Sequence, residues 1–342
     1  MHKPFIPSFP IPTMDKVFLS LALIISGLTL GYVIQNLDRK EVVSLPISIV
    51  DLRKTLQKMG LLFFMPISFL GAVWIVSFEN VRVVLLPVVG LCSLLFGGLL
   101  GLVFAALLNK KNKDKAVLYC CGSFTNIGSV GSLVCFFFFG EAGFALAALY
   151  KMLEDICYYT IGFPLVRYFS GSSEQKQSTW KRLRGVMTDP FVAAAFTAFF
   201  LGLFLNLSGI PRPPAFETIT GVFVPLGTFI LLVSIGLGMK FSSVSSYVQE
   251  SALVSFIKFM AIPIFGCTLA YLFGLHLLSD GLVFKVVLIL TSMPVAFNAL
   301  VAASIYDLDL DMANSCWLVT TLALIIVLPW LYFLLSSPLL PI

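Results

Sequence analysis

The chain has 342 residues, 59% of them hydrophobic and 11% charged, with a mean hydropathy of +1.00 and a formal net charge of +5. Soluble domains carry about 25% charged residues. Composition therefore excludes a soluble enzyme and a nucleic-acid-binding domain, and leaves an all-α polytopic membrane protein whose first partner is a lipid bilayer.

Residues 1–16 hold four prolines and no apolar h-region, so they read as an irregular terminal arm and not as a cleaved signal peptide. A membrane span needs about 20 mostly apolar residues. The first is predicted over residues 17–37, closed by the charged cluster at 38–41. Residues 42–58 carry Asp51, Arg53, Lys54 and Lys58 at helical spacing, an interfacial segment leading into span two at 59–78, with Pro66 inside it. Span three, 81–108, is rich in glycine, and small residues let helix backbones approach closely. A lysine cluster at 110–115 follows.

Span four, about 116–139, is interrupted by the polar run GSFTNIGSVGSL at 122–133. Glu141 marks a turn into span five, 143–168. The polar loop 170–189 then divides the chain. Spans six to eight are predicted at 190–207, 216–239 (with Pro225) and 252–275. Span nine, 282–306, is interrupted by TSMPVAFN at 291–298, and span ten covers 313–335. The halves, 17–169 and 190–336, hold five spans each.

With both termini outside, fifteen lysines and arginines fall in cytosolic loops, against four outside: Lys3, Lys16, Arg82 and Arg212. That asymmetry sets the orientation. Five spans per half make the second half enter the membrane in the opposite sense, so repeats would be inverted. Pro66 answers Pro225 and Asn126 answers Pro294, at separations of 159 and 168 residues that loop lengths absorb.

The order of pieces resembles the auxin efflux carrier family. The matching stretches are LALIISGLTLGYVI, LLFFMPISFLGAV, GSFTNIGSVGSLVCFFFFGEAGFALAALY, MTDPFVAAAFTAFFLGLFLNLSGI, FVPLGTFILLVSIGLGM and the run from TSMPVAFN to the last span. Thr125–Asn126 stands where that family usually has Pro-Asn, and Gly131-Ser132-Leu133 where it has Gly-x-Pro. The resemblance implies ten transmembrane helices as two inverted five-helix repeats, with broken helices four and nine crossing at a substrate site. It also implies a scaffold of spans one, two, six and seven beside a moving unit, a homodimer, and residence in a bacterial cytoplasmic membrane.

Backbone in hydrocarbon must satisfy its own hydrogen bonds, so broken helices survive only against protein or a wet cavity. A new helix N-terminus offers unpaired N–H groups and positive partial charge, which attract anions. Thr125, Asn126, Ile127, Gly128 and Ser129, with Pro294, Val295 and Asn298 opposite, are the expected substrate-binding residues. Asn126 supplies an amide donor, and Thr125 and Ser129 hydroxyls. Lys151, Glu154 and Asp155 lie mid-span on one helix face. They form either an ion pair that locks helix five to its neighbours or a proton-coupling site.

Lys258 and Lys285 are expected to snorkel to the interfaces, and Asp307, Asp309 and Asp311 to sit in a solvated turn. The seven cysteines lack metal-ligand or disulfide spacing and read as small buried residues. No cofactor is expected. Neither His2 nor His276 is placed for acid–base work, and no hydrolase, metalloprotease or P-loop motif occurs, so an enzyme is not expected. The leading expectation is a secondary transporter of a small organic anion by alternating access. The competing readings are a sodium-coupled carrier of the bile-acid type and a receptor that binds without flux.

Overall fold

The computed structural model describes residues 13–42, 46–75, 81–171, 184–185, 188–239, 241 and 244–337. Residues 1–12 of the arm expected over 1–16, most of the dividing loop at 170–189, and Lys240 lie outside the described residues; residues 14–16 of that arm are not irregular but open the first helix. The chain is nearly all helical. Among the described residues, eight helices are long and apolar enough to cross a membrane by length and composition. They are α1 (Met14–Arg39), α2 (Ile49–Ile75), α3 (Val81–Leu107), α5 (Ile127–Ser170), α6 (Pro190–Leu207), α7 (Ala215–Gly236), α8 (Val244–Leu272) and α11 (Leu310–Ser336). Shorter helices among the described residues are α4 (Asn112–Ser123), α9 (Leu282–Thr291) and α10 (Asn298–Ile305).

The span limits follow the sequence closely, with two refinements. Residues 49–59, expected as a separate interfacial segment, run unbroken into the second span as the opening turns of α2, capped by Ser48 accepting from Asp51 N. Helix α5 runs for 44 residues and covers the second part of expected span four together with span five. Its course changes at Gly140, where φ of 64° and ψ of −152° interrupt the helix one residue before Glu141. Only glycine adopts such a backbone without strain.

Small residues set which helices touch. On α1 the buried stripe is Val17, Ser20, Ile24, Gly27, Leu28 and Gly31. A Cβ on Gly31 would lie 2.2 Å from Val233 O of α7, and one on Gly236 would lie 2.3 Å from Leu28 O. Backbones this close gain dispersion contacts that lipid cannot supply. Packing sorts the helices into two groups: α1, α2, α6 and α7 lean on one another, and α3, α4, α5, α8, α9, α10 and α11 do likewise. The first group comprises the helices of spans one, two, six and seven.

Candidate functional site

The two interruptions meet. Helix α4 stops at Ser123 because Phe124 turns extended (φ −71°, ψ 119°), and α5 restarts at Ile127 after Asn126. The irregular backbone is thus shorter than the polar run suggested. In the other half it spans residues 292–297, between α9 and α10. Thr125 and Val295 pair as an isolated antiparallel bridge. Asn126 N donates to Pro294 O at 2.8 Å, and Ala296 N donates to Phe124 O at 2.9 Å. Side chains cover two further donors. Thr125 N donates to Tyr158 Oη at 3.2 Å, and Val295 N to Thr320 Oγ1 at 3.2 Å. Two broken helices in an apolar interior have in this way satisfied each other's backbone, which is what makes the breaks tolerable.

Asn126 caps the restarted helix. Its Oδ1 accepts from Ser129 Oγ at 2.5 Å and from Val130 N at 3.4 Å. The amide Nδ2 is left as a donor beside a cavity of about 360 Å³ whose walls include Asn126, Gly128 and Ser129. The first turn of a helix also leaves N–H groups with no helical carbonyl to reach. Gly128 and Ser129 stand in that first turn, so the positive end of α5 faces the cavity.

The cavity runs between the two helix groups. Its lining includes Thr125, Phe297 and Asn298 from the crossing, Met65, Phe196 and Ile235 from α2, α6 and α7, and also Gln57 and Asp189. Gln57 and Asp189 lie near the starts of α2 and α6, the end of the bundle that also carries Lys110–Lys115. There the Arg53 guanidinium of α2 rests 4.1 Å from the Phe297 ring centroid. At the other end, Arg212 Nη1 lies 2.7 Å from Glu141 Oε1 and donates to Gly71 O at 3.1 Å, with both charged side chains largely buried. That bridge ties the α5 turn to α2 and to the loop before α7.

Lys151, Glu154 and Asp155 all line the cavity. Lys151 Nζ is 3.1 Å from Asp155 Oδ2 and 3.7 Å from Glu154 Oε2. Glu154 Oε1 accepts from Tyr158 Oη, the same hydroxyl that Thr125 N reaches. Its second oxygen is buried without a hydrogen bond. The Lys151 stem passes Gly128 so closely that a Cβ there would sit 2.9 Å from Lys151 Cε. The trio is therefore neither remote from the crossing nor closed on itself.

Of the residues expected at the site, Thr125, Asn126, Gly128, Ser129 and Asn298 border the cavity, together with the Lys151 trio. Ile127, Pro294 and Val295 do not; they are packed behind it and hold the pairing. The Thr125 hydroxyl is already committed, donating to Ser123 O and accepting from Lys258. Lys258 is a correction. Far from snorkelling to an interface, it is 0% exposed and donates to Thr125 Oγ1, Phe124 O and Ser123 O. The acidic turn is also more structured than expected: Asp309 caps α11 and accepts from Tyr247, and Asp307 pairs with Lys113. Tyr158 and Phe297 carried no sequence signal, because aromatic residues crowd every span.

The family described as membrane transport protein matches residues 47–332. An uncharacterized transporter of Methanothermobacter thermautotrophicus is 26% identical over 246 residues, covering 72% of this chain and 76% of the relative. A second uncharacterized transporter, from Methanocaldococcus jannaschii, is 26% identical over 254 residues, covering 73% and 79%.

Proposed function

The chain belongs to the membrane transport protein family, that of the auxin efflux carriers, and on that premise we propose that it is a secondary carrier moving a small organic anion, a carboxylate, by alternating access. The observation that carries the reading is the donor set at the start of α5. Asn126, Gly128, Ser129 and Lys151 all line one cavity, and would offer it the Asn126 Nδ2, the first-turn amides and the Lys151 ammonium. A helix N-terminus with a side-chain amide is a natural carboxylate site, and about 360 Å³ falls in the usual range for a small ligand. Apolar walls from Met65, Phe196 and Ile235 would take the carbon skeleton.

The conformation fits one half of a transport cycle. With the lysine-rich end in the cytosol, both termini lie outside and the cavity is reached from the cytosol. The Glu141–Arg212 bridge then shuts the outer side. The group of α1, α2, α6 and α7 would stay fixed while the crossing and its neighbours move past it, and a homodimer would give the scaffold its partner.

A ligand-stabilisation screen tests this directly. The purified protein is melted against small mono- and dicarboxylates and auxin-like acids. At least one acid should raise the melting temperature, and the same acid should be taken up by proteoliposomes. No stabilisation by any acid, with no uptake, would remove the anion from the proposal.

A further inference from the structure

Lys258 is the one lysine buried to 0% exposure among the described residues, and the anion site makes no use of it. It projects from a π turn, Ile257–Ala261, inside α8. Such a turn admits an extra residue and re-aims the side chains beside it. Its Nζ donates to Thr125 Oγ1 at 2.7 Å, Phe124 O at 3.0 Å and Ser123 O at 3.3 Å. Three acceptors match the three N–H donors that an ammonium would offer, whereas a neutral amine has two.

No ion pair among the described residues includes Lys258. The Lys151–Glu154–Asp155 network reaches it only through Tyr158 and Thr125. What the ammonium faces is the C-terminal end of α4, where unpaired carbonyls and the helix dipole concentrate negative partial charge. Phe124 O is shared: it also accepts from Ala296 N across the crossing. The cation therefore grips the carbonyl through which the two halves of the chain are paired.

We infer that Lys258 is a built-in counter-cation of the crossing, its ammonium standing where the exposed carbonyl end of a broken helix would otherwise call for a bound monovalent metal ion. Unwound carbonyls and half-helix C-termini in carriers are a general binding place for sodium. Here two carbonyls and a hydroxyl converge on one point, and a tethered cation fills it. The pairing of residues 124–126 with 294–296 is then held whatever salt surrounds the protein. Lys258 is a positioning residue: it acts on the site through Thr125 and Phe124 and does not touch the cavity.

The test is a melting experiment on purified full-length protein in sodium, potassium and choline chloride at equal ionic strength. Because stability is the readout, its outcome is separate from whether the cavity takes an anion. The wild type should melt at one temperature in all three salts. Lys258→Ala empties the space beside the three oxygens, and should melt lower in choline and regain ~3 °C or more in sodium or potassium. Lys258→Met fills the same space without charge, and should melt low in every salt. A merely packed lysine would be replaced well by methionine and would give no salt-specific rescue. The inference is overturned by a wild type that needs sodium, by a methionine variant as stable as wild type, or by an alanine variant indifferent to the cation, including one that folds in none of the salts.

Discussion

At the scale of single residues, Asn126 does two separable things. Its Oδ1 caps the restarted helix through Val130 N and Ser129 Oγ, while the residue borders the cavity and its Nδ2 is the donor it would offer there. Asn126→Ala removes both, and loss of a cap costs about 1 kcal/mol. Asn126→Asp keeps the acceptor but trades the donor for a negative charge. The aspartate variant should therefore melt close to wild type yet lose all stabilisation by a carboxylate ligand. An aspartate variant that still binds would move the anion elsewhere in the cavity. Asn126 was legible in sequence because an amide at membrane depth is costly without a purpose. Lys258 was noticed too, but its direction was not legible. A lysine stem can climb to an interface or turn inward, and a π turn, invisible to hydrophobic periodicity, decides between them.

At the scale of elements, helix limits were readable because charges and prolines end apolar runs. The helix pairings were partly readable from glycine content. Gly31 predicts a concrete outcome: with Val233 O 2.2 Å from its missing Cβ, Gly31→Ala must push α1 off α7. Overpacking of this kind costs about 1–3 kcal/mol, so the variant should lose several degrees in melting temperature. Gly221→Ala on α7, which meets nothing within 4 Å, serves as the neutral control. What the sequence hid was the cavity wall made by α2, α6 and α7. Met65, Phe196 and Ile235 are apolar residues on spans whose lipid faces are equally apolar, and only packing tells the two apart.

The turn between the two parts of α5 makes a second prediction at this scale. Glu141 and Arg212 come from the two different helix groups and are largely withdrawn from solvent. A hydrogen bond to a charged group contributes about 1.5–3 kcal/mol, and 1.4 kcal/mol is a tenfold change in a population ratio. Glu141→Gln should therefore shift the protein toward a state open at the other end. An impermeant thiol reagent added outside should label a cysteine introduced at Ala195, in the cavity wall, several-fold faster in that background. The exchanged pair Glu141→Arg with Arg212→Glu should return labelling toward the starting rate. Unchanged labelling in the single variant would mean that the bridge does not hold the outer side shut.

For the whole molecule, if it carries an anion as proposed, the decisive quantity is the charge taken through the bilayer. Around the crossing, Lys151 and Lys258 are balanced by Glu154 and Asp155, so the empty site is neutral with all four ionised. An arriving carboxylate adds one negative charge, and moving an uncompensated charge past apolar walls is expensive. A proton on Glu154 would restore neutrality. Its Oε2 is buried with no hydrogen bond, so protonation there breaks none and gives up only the 3.7 Å ion contact to Lys151, and its Oε1 stays on Tyr158. Asp155, held by Lys151 at 3.1 Å, is the less free of the two acids. Uptake into proteoliposomes should thus be faster when the side holding the anion is acid. Glu154→Gln combined with Asp155→Asn should carry anion at a rate indifferent to an imposed proton gradient, since the amides are neutral at any pH. Should the double variant respond to the gradient as wild type does, the proton travels by another route, and Lys151, Glu154 and Asp155 serve to anchor α5 to the crossing.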